Sequence, residues 1–179
     1  SLLQNNQSLY DHLISATRRS GKGGAVLQGL KKATGEFILF QDADLEYNPQ
    51  DYEKLLRPVT EFNADLVIGS RVLAPRWLRV QYFWHKVGNL AITLFFNVLN
   101  NTAFSDVYSC YLVYRRSLVS VGRIRTRGWE QHGEILALAT RNGRSLYEVP
   151  ISYRGRTYEE GKKIQPHHVF KILWTLLSA

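Results

Sequence analysis

The sequence predicts an α/β fold of three layers, with helices on both faces of a mostly parallel sheet. Three observations point there. Phe37-Ile38-Leu39-Phe40 and Asp65-Leu66-Val67-Ile68-Gly69 are short apolar runs of the kind found in strands buried on both faces. Segments with helical apolar spacing alternate with them across short loops, the pattern of right-handed βαβ units. The first run ends in two acids one residue apart, Asp42 and Asp44. In open α/β sheets ligands bind beyond the carboxyl ends of the strands.

Taken in order, residues 1–12 are polar and loosely patterned, with Leu2, Leu3, Leu9 and Leu13 available to one helix face. Leu13 to Thr17 reads as a short strand. Arg18 to Gly24 is a basic, glycine-rich loop that opens a helix carrying Ala25, Val26, Leu27, Leu30 and Ala33, with Gly35 placed to stop it. Such a loop lets backbone N–H groups approach phosphate, and Lys22 adds charge. It is not a P-loop, because Gly23 stands where Ser or Thr would bind magnesium. After the acidic turn, Asn48-Pro49 starts a helix over about 50–62 with Tyr52, Leu55, Leu56 and Val59 inward.

Residues 74–89 are rich in Arg and aromatic rings, and residues 90–99 are strongly apolar. This second stretch is too short to cross a bilayer. It reads equally as a core helix or as an interfacial one. Val107 to Tyr114 is a predicted strand, about 129–141 a helix bearing Glu130, His132 and Glu134, and Leu146 to Tyr153 an extended segment that Pro150 assigns to a sheet edge. A charged loop, Arg154 to Lys163, leads to an apolar tail helix.

Composition narrows the function. At 179 residues with 45% apolar content, the chain can bury a sizeable core. The single cysteine, Cys110, excludes an internal disulfide. A net charge of +8 suits phosphate-bearing ligands or an anionic membrane. The basic and aromatic residues of 76–86 also fit nucleic acid, but no nucleic-acid-binding motif accompanies them. Paired aspartates with water suit a hard divalent ion such as Mg²⁺ or Mn²⁺, which then holds a diphosphate. An EF-hand is set aside, since Tyr47 stands where its glycine belongs.

Six pieces in order resemble the family-2 glycosyltransferases of GT-A fold, in their dolichyl-phosphate mannose synthase-like branch. They are Gly21-Lys22-Gly23, Gln41 to Tyr47, Gly69-Ser70-Arg71, Ser105-Asp106 followed by Cys110-Tyr111, Glu148-Val149-Pro150-Ile151, and Arg156 to Lys163. The resemblance spans about residues 18–165. It implies metal-dependent transfer of a sugar from a GDP- or UDP-sugar to a polyprenyl phosphate at the cytoplasmic membrane face, by a peripherally bound enzyme.

By the same resemblance, Asp42 and Asp44 hold the metal. Gly21, Lys22, Gln41, Ala43, Arg156 and Lys162 line the donor with them. Arg71, Arg156 and Lys163 meet the acceptor phosphate, and Asp106 and Arg71 stand at the reaction centre. A phosphate acceptor is already ionised at neutral pH, so Asp106 is expected to position groups rather than to remove a proton. Leu112 departs from the family, which usually has a basic residue there. The region 129–134 is one residue longer than usual, which blurs the place of Glu134. The resemblance also implies that the chain begins just after the family's first strands, so that a partial GT-A domain over 1–165 is followed by an amphipathic helix over 166–179. An uncovered strand edge is then expected to favour homo-oligomers. The alternative reading is a non-catalytic membrane-surface or scaffold module that keeps the fold.

Overall fold

A computed structural model describes residues 6, 8, 10–15, 21–73, 80, 82–156, 159 and 168–178. Five helices, α1 (Gly21–Lys32), α2 (Tyr52–Phe62), α3 (Phe83–Asn100), α4 (Gln131–Asn142) and α5 (His168–Ser178), surround four strands, β1 (Phe37–Leu39), β2 (Leu66–Ser70), β3 (Leu112–Arg115) and β4 (Leu146–Pro150). Alternation along the strands makes the layers. Leu66, Ile68, Leu112 and Tyr114 point to one face and join residues of α1, α3, α4 and α5. Val67 and Val113 point to the other and meet Leu55 of α2.

The strand order is β1-β3-β2-β4. Strands β1, β2 and β4 run the same way, as expected of a mostly parallel sheet. However, β3 runs against them and is inserted between β1 and β2, so only β2 and β4 pair in parallel. The helical crossover from β1 to β2 therefore skips one strand.

Several local expectations change accordingly. Among the described residues β1 is an edge strand, and only Ile38 of its apolar run is buried. Leu13 to Ser15 form no strand, and Leu13 and Ile14 are exposed. Leu56 faces solvent, and Pro58 takes the inward place beside Leu55. Residues 107–110 are turn rather than strand, because they cross the carboxyl edge of the sheet before β3 starts. The edge position of Pro150 holds. Helix α5 docks on α3 and α4 through Ile172 and Leu176. No described helix is long and apolar enough to cross a membrane.

Candidate active site

Because β3 runs backwards, the ends of β1, β2 and β4 and the approach to β3 all lie at one edge of the sheet. That edge collects Asp42 and Asp44 after β1, Arg71 after β2, Asp106 and Cys110 before β3, and Arg156 after β4.

The acidic turn is tightly held. Gln41 donates to its neighbour's carbonyl and accepts from the hydroxyls of Tyr52 and Tyr111, at 2.8 and 2.6 Å. The amide of Glu46 donates to Asp44, an Asx turn, and Leu45 between them takes a φ of 62° with its side chain 89% exposed. A non-glycine residue with positive φ at a ligand-facing turn is backbone strain that the surrounding contacts must hold. Ala43 is exposed on this turn.

Both carboxylates meet cations. Lys22 Nζ lies 2.7 Å from Asp42 Oδ2, 3.3 Å from Cys110 Sγ and over the ring of Trp129. Burial works against its charge, but Cys110 and Asp42 outweigh burial and hold the ammonium protonated. Burial likewise pushes Asp42 upward, and hydrogen bonds from Cys110 and Lys22 bring its carboxyl below the usual range. Arg156 reaches Asp44 Oδ2 through Nη2 at 2.7 Å and Glu46 Oε1 through Nε at 3.0 Å, and its backbone amide also donates to Glu46. Glu46 is thus the anchor of the Arg156 segment, with Tyr153 and the Arg154 amide as further donors to it.

The glycines on either side of Lys22 have structural reasons. A Cβ on Gly23 would lie 2.5 Å from the carbonyl carbon of Arg127, and Gly21 has a φ of +72°. They begin α1 rather than forming a loop ahead of it.

The second cluster centres on Arg71. Its Nε and Nη2 donate to the two oxygens of Asp106 at 2.7 and 2.8 Å, its backbone amide adds a third bond, and the ring of Tyr153 lies 5.1 Å from the guanidinium. Asp106 is fully buried and also accepts from Asn89. Burial alone would raise its pKa. The Arg71 charge and hydrogen bonds reverse that and hold it low, so it is a poor proton acceptor. The carboxylate of Glu148 on β4 takes the amides of Ser105 and Asp106 and the Ser105 hydroxyl, fixing this loop.

Glu134 is buried, not an exposed helix carboxylate. It accepts from the amides of Arg125 and Thr126 and from the Thr126 hydroxyl, so it clamps a loop. Leu112 is wholly buried in β3 and offers nothing to a phosphate. Nε2 of His132 is buried without a hydrogen-bond partner, and the ring packs edge-on to Tyr108. Lys162 and Lys163 lie outside the described residues. Asn89, Glu46 and Glu148 escaped sequence reasoning. Of these, Glu46 and Glu148 lay inside motifs already singled out.

A divalent ion fits this chemistry in part from the protein and in part from a ligand. Among the described residues no three His, Cys, Asp or Glu side chains converge on one point. Two carboxylates on one turn nevertheless suit Mg²⁺ or Mn²⁺, which takes its remaining ligands from substrate phosphates and water.

The fold is that of the GT-A glycosyltransferases, and the sequence pattern of glycosyl transferase family 2 matches residues 8–122. The chain belongs to that family and is a glycosyltransferase. Among curated relatives, it is 28% identical over 169 residues to a UDP-N-acetylglucosamine–dolichyl-phosphate N-acetylglucosaminyltransferase of Methanococcus voltae, covering 92% of this chain and 67% of that one. It is 28% identical over 162 residues to a low-salt glycan biosynthesis hexosyltransferase of Haloferax volcanii, covering 89% of this chain and 39% of that one. Among solved structures, glucosyl-3-phosphoglycerate synthase from Mycobacterium tuberculosis superposes with a TM-score of 0.59 at 19% identity, over 97% of this chain and 58% of that one. The same enzyme in complex with Mn²⁺ and uridine-diphosphate-glucose gives 0.57 at 18% identity, covering 97% of this chain and 57% of that one. The chain thus spans from about two fifths to two thirds of the length of these proteins.

Proposed function

We propose that this chain carries the diphosphate and acceptor sites of a metal-dependent transferase that moves a sugar from a nucleotide donor to a polyprenyl phosphate at a membrane surface. The observation that carries this reading is the meeting of Asp42, Asp44, Lys22 and Arg156 with the Arg71–Asp106 pair at one sheet edge. The two clusters are chemically distinct. Two hard carboxylates beside two cations suit a metal-bound diphosphate, whereas a guanidinium whose carboxylate partner is a poor proton acceptor suits an already ionised acceptor. Bound Mg²⁺ or Mn²⁺ would supply Lewis-acid stabilisation of the diphosphate leaving group. Lys22 and Arg156 add positive charge where the leaving group gains negative charge. Arg71, locked by Asp106, presents its charge in a fixed place for the acceptor phosphate. The relative named for dolichyl phosphate and the solved complex with Mn²⁺ and uridine-diphosphate-glucose support the choice of acceptor class, metal and donor.

Helix α3 supports a membrane-surface site. Phe83, Val87, Leu90, Leu94 and Val98 recur at helical spacing and are all exposed, with Trp84 74% exposed beside them. Ile92, Thr93 and Phe96 on the opposite side enter the core. Trp174 and Leu177 of the adjoining α5 are exposed as well. An apolar stripe with an aromatic end lies in a lipid interface rather than across it.

The test is transfer of label from UDP- and GDP-sugars to a polyprenyl phosphate, with and without chelator, in the parent chain and in Asp44→Ala. Label in the lipid phase that needs Mn²⁺ or Mg²⁺ and is lost in Asp44→Ala, with the fold intact by circular dichroism, supports the reading. Metal-independent transfer, or full turnover in Asp44→Ala, overturns the metal assignment.

A further inference from the structure

The two acids proposed to hold the metal are already neutralised by the chain itself. Lys22 faces Asp42 at 2.7 Å and Arg156 faces Asp44 at 2.7 Å. All four side chains are largely withdrawn from solvent, so their charges are less screened than at an open surface. We infer that Lys22 and Arg156 are counter-ions held in place of the metal, and that they pass to the diphosphate as the metal takes the carboxylates. This rests on the reading of Asp42 and Asp44 given above.

Charge balance carries the inference. Asp42, Asp44 and Glu46 face Lys22 and Arg156, so the resting cluster is singly negative. A divalent ion entering alone leaves Lys22 without a carboxylate and Arg156 with Glu46 alone, and turns the cluster singly positive. A divalent ion entering with a doubly negative diphosphate restores the single negative charge, with every cation facing an anion. Metal alone is therefore disfavoured, and metal with diphosphate is taken up as a unit.

The geometry gives each cation a way to move. Lys22 sits on a flexible four-carbon stem, with the Trp129 ring 5.4 Å from Nζ as a second resting contact. Arg156 has two separate duties. Its Nε and backbone amide stay with Glu46 while Nη2 alone touches Asp44. Releasing one hydrogen bond frees the outer part of the guanidinium while its base remains anchored. Neither cation needs the fold to rearrange.

The measurement is binding of Mn²⁺, followed by electron paramagnetic resonance of the free ion and by calorimetry, with and without inorganic pyrophosphate as the diphosphate probe. The parent is compared with Lys22→Gln, Arg156→Gln, the charge-keeping Lys22→Arg and Arg156→Lys, and Asp44→Ala. Melting curves establish that each is folded. In the parent, Mn²⁺ alone binds weakly, and pyrophosphate tightens it by about tenfold or more, equivalent to ~1.4 kcal/mol. In each Gln variant Mn²⁺ alone binds tighter than in the parent, and pyrophosphate helps less. The charge-keeping variants behave as the parent does. Gln variants whose affinity for Mn²⁺ alone is unchanged or weaker overturn the counter-ion role. In that case, joint Mn²⁺ and pyrophosphate binding that is lost in Asp44→Ala leaves the metal site standing. No Mn²⁺ uptake by any folded variant, with or without pyrophosphate, overturns both.

Discussion

Arg71 and Asp106 form a two-pronged ion pair, Nε to Oδ2 at 2.7 Å and Nη2 to Oδ1 at 2.8 Å, with the carboxylate wholly buried. Removing one partner of such a pair strands the other charge. Asp106→Asn is expected to destabilise the protein by about 3 kcal/mol and to abolish transfer. Urea unfolding and the transfer assay check this. An apolar double replacement, Arg71→Met with Asp106→Leu, removes both charges together and should recover most of the stability and none of the activity. Recovery of activity would mean that the pair serves the fold alone.

Two glycines of α1 give opposite predictions. A Cβ on Gly23 would collide with the Arg127 backbone at 2.5 Å, whereas one on Gly29 would meet nothing within 4 Å. Both replacements gain helix propensity, so Gly29→Ala should stabilise by about 0.5–1 kcal/mol. Gly23→Ala should destabilise by about 2 kcal/mol despite the same gain, because the obstacle is main chain and cannot swing aside. Melting temperatures of the two variants, side by side, decide.

His132 predicts a pH dependence. Burial, with Lys22 and Arg71 nearby, pulls its imidazole down to about 4 from the ordinary 6.5. The folded protein keeps the ring neutral while the unfolded chain takes up a proton below pH 6.5. Stability present above pH 6.5 is therefore lost progressively as pH falls toward 4, by about 3 kcal/mol in full. Unfolding free energies between pH 7 and 4 should show this decline, and His132→Gln should flatten it. An equal slope in parent and variant would show that the ring titrates as freely as in solution.

The apolar stripe of α3 lies opposite its buried face, so polar replacements there should leave the core untouched. Trp84→Ser and Leu94→Ser together should change stability by less than about 1 kcal/mol while reducing flotation with anionic vesicles at low salt. Undiminished flotation would remove the stripe from membrane contact.

What the sequence made readable follows range. The helices showed themselves through apolar spacing within a dozen residues, and β2 through its unbroken apolar run. The acids at the end of β1 were visible because two neighbouring charges after a strand are a local pattern. The inserted, reversed β3 was not visible, since an apolar run carries no sign of its direction or its neighbours. Its first half read as strand because Val107 to Tyr111 are as apolar as the strand itself. Glu46, Glu134 and Glu148 look in the sequence like ordinary surface acids. Each owes its role to main-chain donors elsewhere, 110 positions away for Glu46 with Arg156 and 43 for Glu148 with Ser105. Glycines 21 and 23 were read as phosphate-facing, while Gly23 fits closely against Arg127, over a hundred positions later.

The reversed strand between β1 and β2 also governs when the site can exist. Among the described residues strand β1 has its sheet partner only in β3, with Glu36 and Arg115 at their joined ends 79 positions apart. Arg156 meets Asp44 across 112 positions. On a ribosome adding about 5–20 residues per second, the acidic turn emerges roughly 5–20 s before the arginine that will face it. In that interval Phe37 to Leu39 wait for β3, and Asp44 stands without Arg156 while Asp42 already has Lys22 within reach. Until β3 is made, the edge of β1 that β3 will cover is open to other chains. Slow assembly from distant segments is the kinetic side of an arrangement that draws the charged groups of the site to one rim of the sheet.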